Sequence, residues 1–180
     1  MPGRATDEGQ QQQESQDSQE TSIVSSQQRR IAILGAGPTG LEAALAAAEA
    51  GLPFTLYEAG PTTAAFLRMW GHVRLFSPWD LNVSPRARRA LEKAGHEVPT
   101  GKDCPTAAEL ADAVFEPLAK LPALEENLRF RTPVLAVSRE GLLKNEEIGT
   151  GKRADRPFRL LLTDSQDREW TETAEIVLDC

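Results

Sequence analysis

The chain has 180 residues, of which 40% are hydrophobic and 26% charged, and carries a net charge of -7. Such a chain builds one soluble globular domain with its own core, and its acidic balance argues against nucleic acid or an anionic membrane as partner. No stretch approaches the ~20 apolar residues of a membrane span, no secretory signal follows Met1, and the two cysteines, Cys104 and Cys180, form neither a CxxC motif nor a disulfide framework, so reduced thiols in a cytoplasmic protein are expected.

Residues 1–28 read as a disordered tail. Gln10 to Gln13 is a homopolymer run, and Ile23 and Val24 are the only strong hydrophobes. Such a segment buries too little apolar surface to offset its ordering entropy. The domain is expected over residues 29–180. Ile31-Ala32-Ile33-Leu34 suits a strand buried on both faces. A glycine-rich turn follows, then Leu41, Ala44, Leu45 and Ala48 recur at helical spacing, and Gly51 supplies a left-handed stop. Phe54 to Tyr57 is a second strand, which makes a βαβ unit with parallel strands.

Beyond it, Phe66 to Trp79 is rich in aromatic and apolar residues without a clear period. Ser84-Pro85 opens a helix that Gly95 closes. Thr106 and Glu109 form a capping box for a helix to about Lys120, which Pro117 should kink or shorten. Strands are expected at Leu128 to Arg131 and Val134 to Ser138. A hairpin is expected from Phe158 to Thr163 and Glu169 to Thr173, and a buried strand at Ile176-Val177-Leu178. Gly141 to Asp155 reads as a mobile excursion.

The chemistry lies in Gly35-Ala36-Gly37-Pro38-Thr39-Gly40, a G-x-G-x-x-G between a buried strand and an Ala-rich helix. Gly35 allows the tight turn, Gly37 lets the backbone approach a pyrophosphate, and Gly40 lets the helix pack closely. The pyrophosphate would rest on the helix N-terminus, whose free N–H groups and positive dipole end favour an anion. Pro38 suits the first turn because its missing N–H is no loss there. Glu58 follows Gly40 by 18 residues, at the end of the second strand. A carboxylate there accepts hydrogen bonds from adenosine ribose hydroxyls and repels a 2′-phosphate. Ala59 and Gly60 come next, with no Arg to receive such a phosphate.

These residues resemble FAD-dependent oxidoreductases with two dinucleotide-binding folds, such as flavin-containing monooxygenases and pyridine nucleotide-disulfide reductases. Gly35, Gly37, Gly40 and Glu58 match the group's N-terminal FAD motif. Thr132-Pro133-Val134 is similar to the segment whose valine backbone meets the adenine. The 158–173 hairpin is similar to the group's β-meander, and Phe66 to Trp79 to the stretch that approaches the flavin. Residues 174–180 resemble the strand that in the group runs into a Thr-Gly pair. The resemblance implies a Rossmann-like α/β fold, a parallel sheet with helices and an antiparallel β-meander. It also implies FAD as cofactor, bound by Gly35, Ala36, Gly37, Pro38, Thr39, Gly40, Glu58, Ala59 and Val134, and NAD(P)H as co-substrate of a longer enzyme acting on a small molecule. The absence of a CxxC counts against the disulfide-reductase branch. The domain is expected to be truncated at its C-terminal end and able to self-associate through the apolar surface left exposed. An NAD-dependent dehydrogenase domain and a non-catalytic dinucleotide-binding module are the alternatives. No catalytic acid, base or nucleophile stands out.

Other side chains read as structural. Cys104 before Pro105 reads as a passive thiol, and His72, Trp70 and Trp79 as surface or packing residues. Arg68 and Arg74 read as solvated cations, and Arg86, Arg88 and Arg89 as the wet face of a helix.

Overall fold

The βαβ unit forms where the apolar periods place it. In a computed structural model, which describes residues 29–180, β1 is Ile31–Leu34, α1 is Pro38–Glu49 and β2 is Phe54–Tyr57. The tail expected over residues 1–28 lies outside the described residues. The two strands pair in parallel, Ile31 opposite Phe54 and Leu34 opposite Tyr57. Gly51 ends the crossover with φ +65°, a conformation that carries no steric penalty for glycine. On the far edge of β2 lies β3 (Leu128–Arg129), and on the far edge of β1 lies β7 (Ile176–Asp179), giving the all-parallel order β3-β2-β1-β7. The expected strand at 128–131 is cut short because Arg131 takes φ +51°, which no strand tolerates.

Alternation along the strands separates two cores. Ile31, Ile33, Phe54 and Leu56 face a helical layer. That layer includes α1 and α4 (Pro85–Lys93), the helix that opens at α5 (Ala107–Leu110), and α7 (Pro122–Glu125). Ala32 and Tyr57 face the other way, against Leu160, Leu162 and Ala174. Those three belong to a meander of β4 (Val134–Arg139), β5 (Phe158–Thr163) and β6 (Glu169–Ala174), antiparallel in that order. The domain is thus three layers: helices, parallel sheet, meander. Polar contacts reinforce the second interface. Tyr57 donates to Glu172 Oε2 at 2.8 Å, and Arg30 donates Nε to the Thr173 carbonyl at 3.1 Å. Among the described residues no helix is long and apolar enough to cross a membrane.

One expectation changes and two take a definite form. The helix runs on through Pro117, distorted rather than shortened. Ahead of it the helix widens into a π turn over Ala111–Phe115, with the Glu116 N–H bonded to the Ala111 carbonyl, and continues as α6 (Glu116–Ala119). A wider turn loosens the crowding between the ring and the preceding turn. Residues 141–155 include a four-residue helix, α8 (Gly151–Ala154), capped by Thr150, which accepts from the Arg153 N–H. β7 is an edge rather than a buried strand. Among the described residues it pairs only with β1, and Ile176 and Leu178 stay 38% and 39% exposed.

Candidate functional site

β1 delivers the chain into a loop that only glycine can make. Gly35 has φ +99°, and a Cβ there would stand 2.8 Å from the Cys180 carbonyl oxygen. Gly40, in the first turn of α1, lies against that same loop. A Cβ on it would sit 1.8 Å from the Gly35 oxygen, so the helix reaches this depth only because Gly40 has no side chain. Gly37 is the opposite case. It is the N-cap of α1 with Pro38 next, and a Cβ there would meet no atom within 4 Å. The open space belongs to a cleft of about 790 Å³ along the ends of the parallel strands.

The cleft has four walls. Gly35, Gly37, Pro38, Thr39 and Gly40 form the first, and the end of β2, with Tyr57, Glu58 and Ala59, forms the second. Ala64 to Leu67 and Trp70 are the third, from a segment that includes α2 (Ala65–Met69). Thr132 and Val134 to Val137, leading into and along β4, are the fourth. Eight of the nine residues predicted to bind a nucleotide therefore line one cavity, up to Val134 on the meander side. Ala36 does not. It is fully buried behind the wall, its N–H donating 2.7 Å to Glu58 Oε2 and its carbonyl accepting from the Ala64 N–H at 3.0 Å.

Glu58 is 8% exposed. Its Oε1 accepts from the Gly60 N–H at 2.6 Å and its Oε2 from Ala36, so both oxygens are fixed by backbone donors. Each keeps lone-pair capacity for a further donor. Beside it, the buried Tyr57 phenol is pushed up to about 12, first by burial and then by its hydrogen bond to Glu172. The Cys180 thiol, at the mouth by Gly35, is raised by burial and by Asp179.

Sequence reasoning missed Tyr57, Ala64 and the run Leu135 to Val137 as lining residues. For Tyr57 the signal was available: it falls on the meander face of β2, next to Glu58. Trp70, read as packing, lines the cleft with Phe66 and Leu67. Trp79 does pack against the helical core. Arg68 turns away from the cleft to Asp112 and Glu116, and Arg74 donates to the Cys104 carbonyl. His72 is exposed. The wet face at 86–89 is corrected for two arginines. Arg86 bridges Glu42 and Glu49 on α1, and Arg88 donates to the carbonyls of Val98 and Pro99. For Arg86 the expectation failed because partners 37 and 44 residues earlier leave no local trace. Among the described residues no group of acids, histidines and cysteines could hold a metal.

No protein-family model and no curated protein matches the sequence. Solved structures do. The S-allyl-L-cysteine S-oxygenase of Allium sativum aligns at TM-score 0.63 and 15% identity, over 84% of this chain and 36% of that one. The crystal structure of OTEMO with FAD bound aligns at 0.62 and 17%, over 86% and 26%. Bacillithiol disulfide reductase from Bacillus cereus aligns at 0.58 and 17%, over 84% and 39%. The chain thus spans between about a quarter and two fifths of the length of these proteins. The Rossmann-like α/β architecture expected from the sequence, a parallel sheet with helices and an antiparallel meander, is the fold this chain has and shares with these proteins.

Proposed function

We propose that residues 29–180 form the FAD-binding domain of a flavin-dependent oxidoreductase, monooxygenase-like and using NAD(P)H as reductant in a longer enzyme. The observation that carries this reading is the continuous cleft joining the glycine loop, Glu58 and Val134, with open space at Gly37 where a side chain would block it. The residues fit the ligand. The first N–H groups of α1 have no carbonyl behind them and would take the pyrophosphate. Glu58 has acceptor capacity left for ribose hydroxyls, Val134 would meet the adenine, and Phe66, Leu67 and Trp70 offer an apolar wall to the flavin end. When bound, the flavin supplies the hydride and electron transfer, and the protein holds and orients it. No side chain in the cleft is assigned an acid, base or nucleophilic role.

The similar structures support the same direction. OTEMO is described with FAD and with FAD and NADP together, and another neighbour is a flavin monooxygenase from Stenotrophomonas maltophilia. The lack of a CxxC favours the monooxygenase side over the disulfide-reductase side. The meander packed on the sheet disfavours a simple NAD-dependent dehydrogenase, whose fold continues βαβ. Exposed Phe66, Met69, Phe76 and Leu81 support the expectation of self-association.

The test is direct. The purified chain, incubated with FAD and freed of excess, should retain the absorbance of bound flavin. Calorimetry should show tighter binding of FAD than of NAD. A colourless protein that binds NAD tightly would overturn the proposal.

A further inference from the structure

We infer that Glu58, beyond any contact with a nucleotide, is the clasp that builds the cleft before a ligand arrives. This rests on the cleft being the nucleotide site only for its consequence, not for its observation. Glu58 stands in the second wall and bonds to two of the other three. Its carboxylate holds the glycine loop through the Ala36 N–H at 2.7 Å and the turn after β2 through the Gly60 N–H at 2.6 Å. Its carbonyl accepts the Thr132 N–H at 2.9 Å, which fixes the approach to β4.

The held segments are tied onward. Ala36 accepts from Ala64, a buried alanine in the left-handed conformation at φ +54° that opens α2. Gly60 accepts from the Arg131 N–H at 3.0 Å. A non-glycine residue in that region persists only when its surroundings impose it, and here the imposition starts at the Glu58 carboxylate. Gly60 must also be glycine, since a Cβ would stand 2.6 Å from the Ala65 Cβ and 2.9 Å from Glu58 Oε1.

The chemistry of the clasp is specific to a carboxylate. Ala36 and Gly60 both present donors, so both side-chain oxygens must accept. Glutamine has the same shape, but in either orientation its amide nitrogen would face one of the two N–H groups, donor against donor. Glu58→Gln therefore opens the clasp without changing the volume.

The experiment uses the whole chain without nucleotide. In the unsubstituted protein the Ala36 and Gly60 amides should exchange with solvent on the order of 100-fold or more slower than free amides. In Glu58→Gln that protection should fall at Ala36 or Gly60, and at Ala64, while the amides of β5 keep theirs. Inorganic pyrophosphate titrated into the original chain should shift the Gly37 and Thr39 amide resonances, and Glu58→Gln should lose those shifts although pyrophosphate has no ribose. Ala36 and Gly60 exchanging as free amides in the original chain would overturn the clasp, even if the variant does not fold. So would a Glu58→Gln chain with protection and pyrophosphate shifts unchanged. If the original chain shows protected amides but no pyrophosphate shift, the clasp stands and the nucleotide reading of the loop is what fails.

Discussion

At the scale of single residues, two glycines of one motif do opposite work, and substitution separates them. Gly40→Ala places a Cβ 1.8 Å from the Gly35 carbonyl oxygen, a backbone atom that cannot swing aside. The helix must lift from the loop, a form of overpacking that typically costs about 1–3 kcal/mol. Thermal denaturation should show a loss of about 2–4 °C per kcal/mol for a chain of this size, and FAD affinity should fall with it. At Gly37 an added Cβ meets no atom within 4 Å, so Gly37→Val should lower the melting temperature far less than Gly40→Ala while abolishing FAD binding, because its side chain enters the cleft. Equal loss of stability in the two variants, or normal FAD binding by Gly37→Val, would refute this division. The motif spacing made the loop and Glu58 legible in the sequence, and the family resemblance added Val134. It could not show that Ala36 lies behind the wall or that the carboxylate is half occupied by backbone donors. Those facts depend on where the 59–65 turn comes back to the loop, and no local pattern encodes that return.

At the scale of elements, the period of the apolar residues carried most of the information. The strands β1, β2, β4, β5 and β6, the capping box at Thr106 and the cap at Ser84 stand where their residue types place them. What was not legible is what depends on neighbours: β7 looks buried by composition but has a partner on one side only, and Arg86 looks solvated but clasps α4 to α1. The meander's docking on the sheet is such a case, and Tyr57 makes it measurable. It is the only tyrosine of the chain, so its titration can be followed by phenolate absorbance without interference from another. Its ionisation is displaced from 10.0 to about 12 by burial under the meander and by Glu172. The unfolded chain ionises first. The stability that the neutral phenol contributes is therefore complete below pH 10 and declines as pH rises towards 12. Native absorbance should show ionisation near pH 12, and Tyr57→Phe should remove this part of the alkaline slope in denaturant unfolding. A phenol titrating near 10 in the native chain would mean that the meander does not cover it.

At the scale of the whole molecule, the three layers frame the cleft proposed for a dinucleotide. The βαβ unit with its parallel pairing and the hairpin with its antiparallel pairing followed from the order of elements, and the Rossmann-like α/β fold with a meander followed from the family resemblance. The arrangement of the aromatic stretch did not follow, since Phe66 to Trp79 has no period and its short helix takes its position from the Ala64 turn. The outcome is a cleft whose apolar wall continues onto open surface: Phe66 is 80% exposed, Met69 78% and Phe76 99%. The chain holds a single G-x-G-x-x-G, and a second dinucleotide would find no comparable loop and helix N-terminus among the described residues. An enzyme that passes a hydride from NAD(P)H to a flavin must hold both partners in near-attack geometry with water excluded, and that positioning is where much of the rate arises. In the proposed reading the cleft cradles one partner, while Phe66 and Met69 on its aromatic side are exposed. With saturating FAD, the purified 180-residue chain should bind flavin yet oxidise NADPH no faster than free FAD does. Steady-state NADPH consumption against a flavin-only control measures it. Turnover near the ~10 s⁻¹ typical of enzymes would require a second nucleotide site that the cleft described above does not contain.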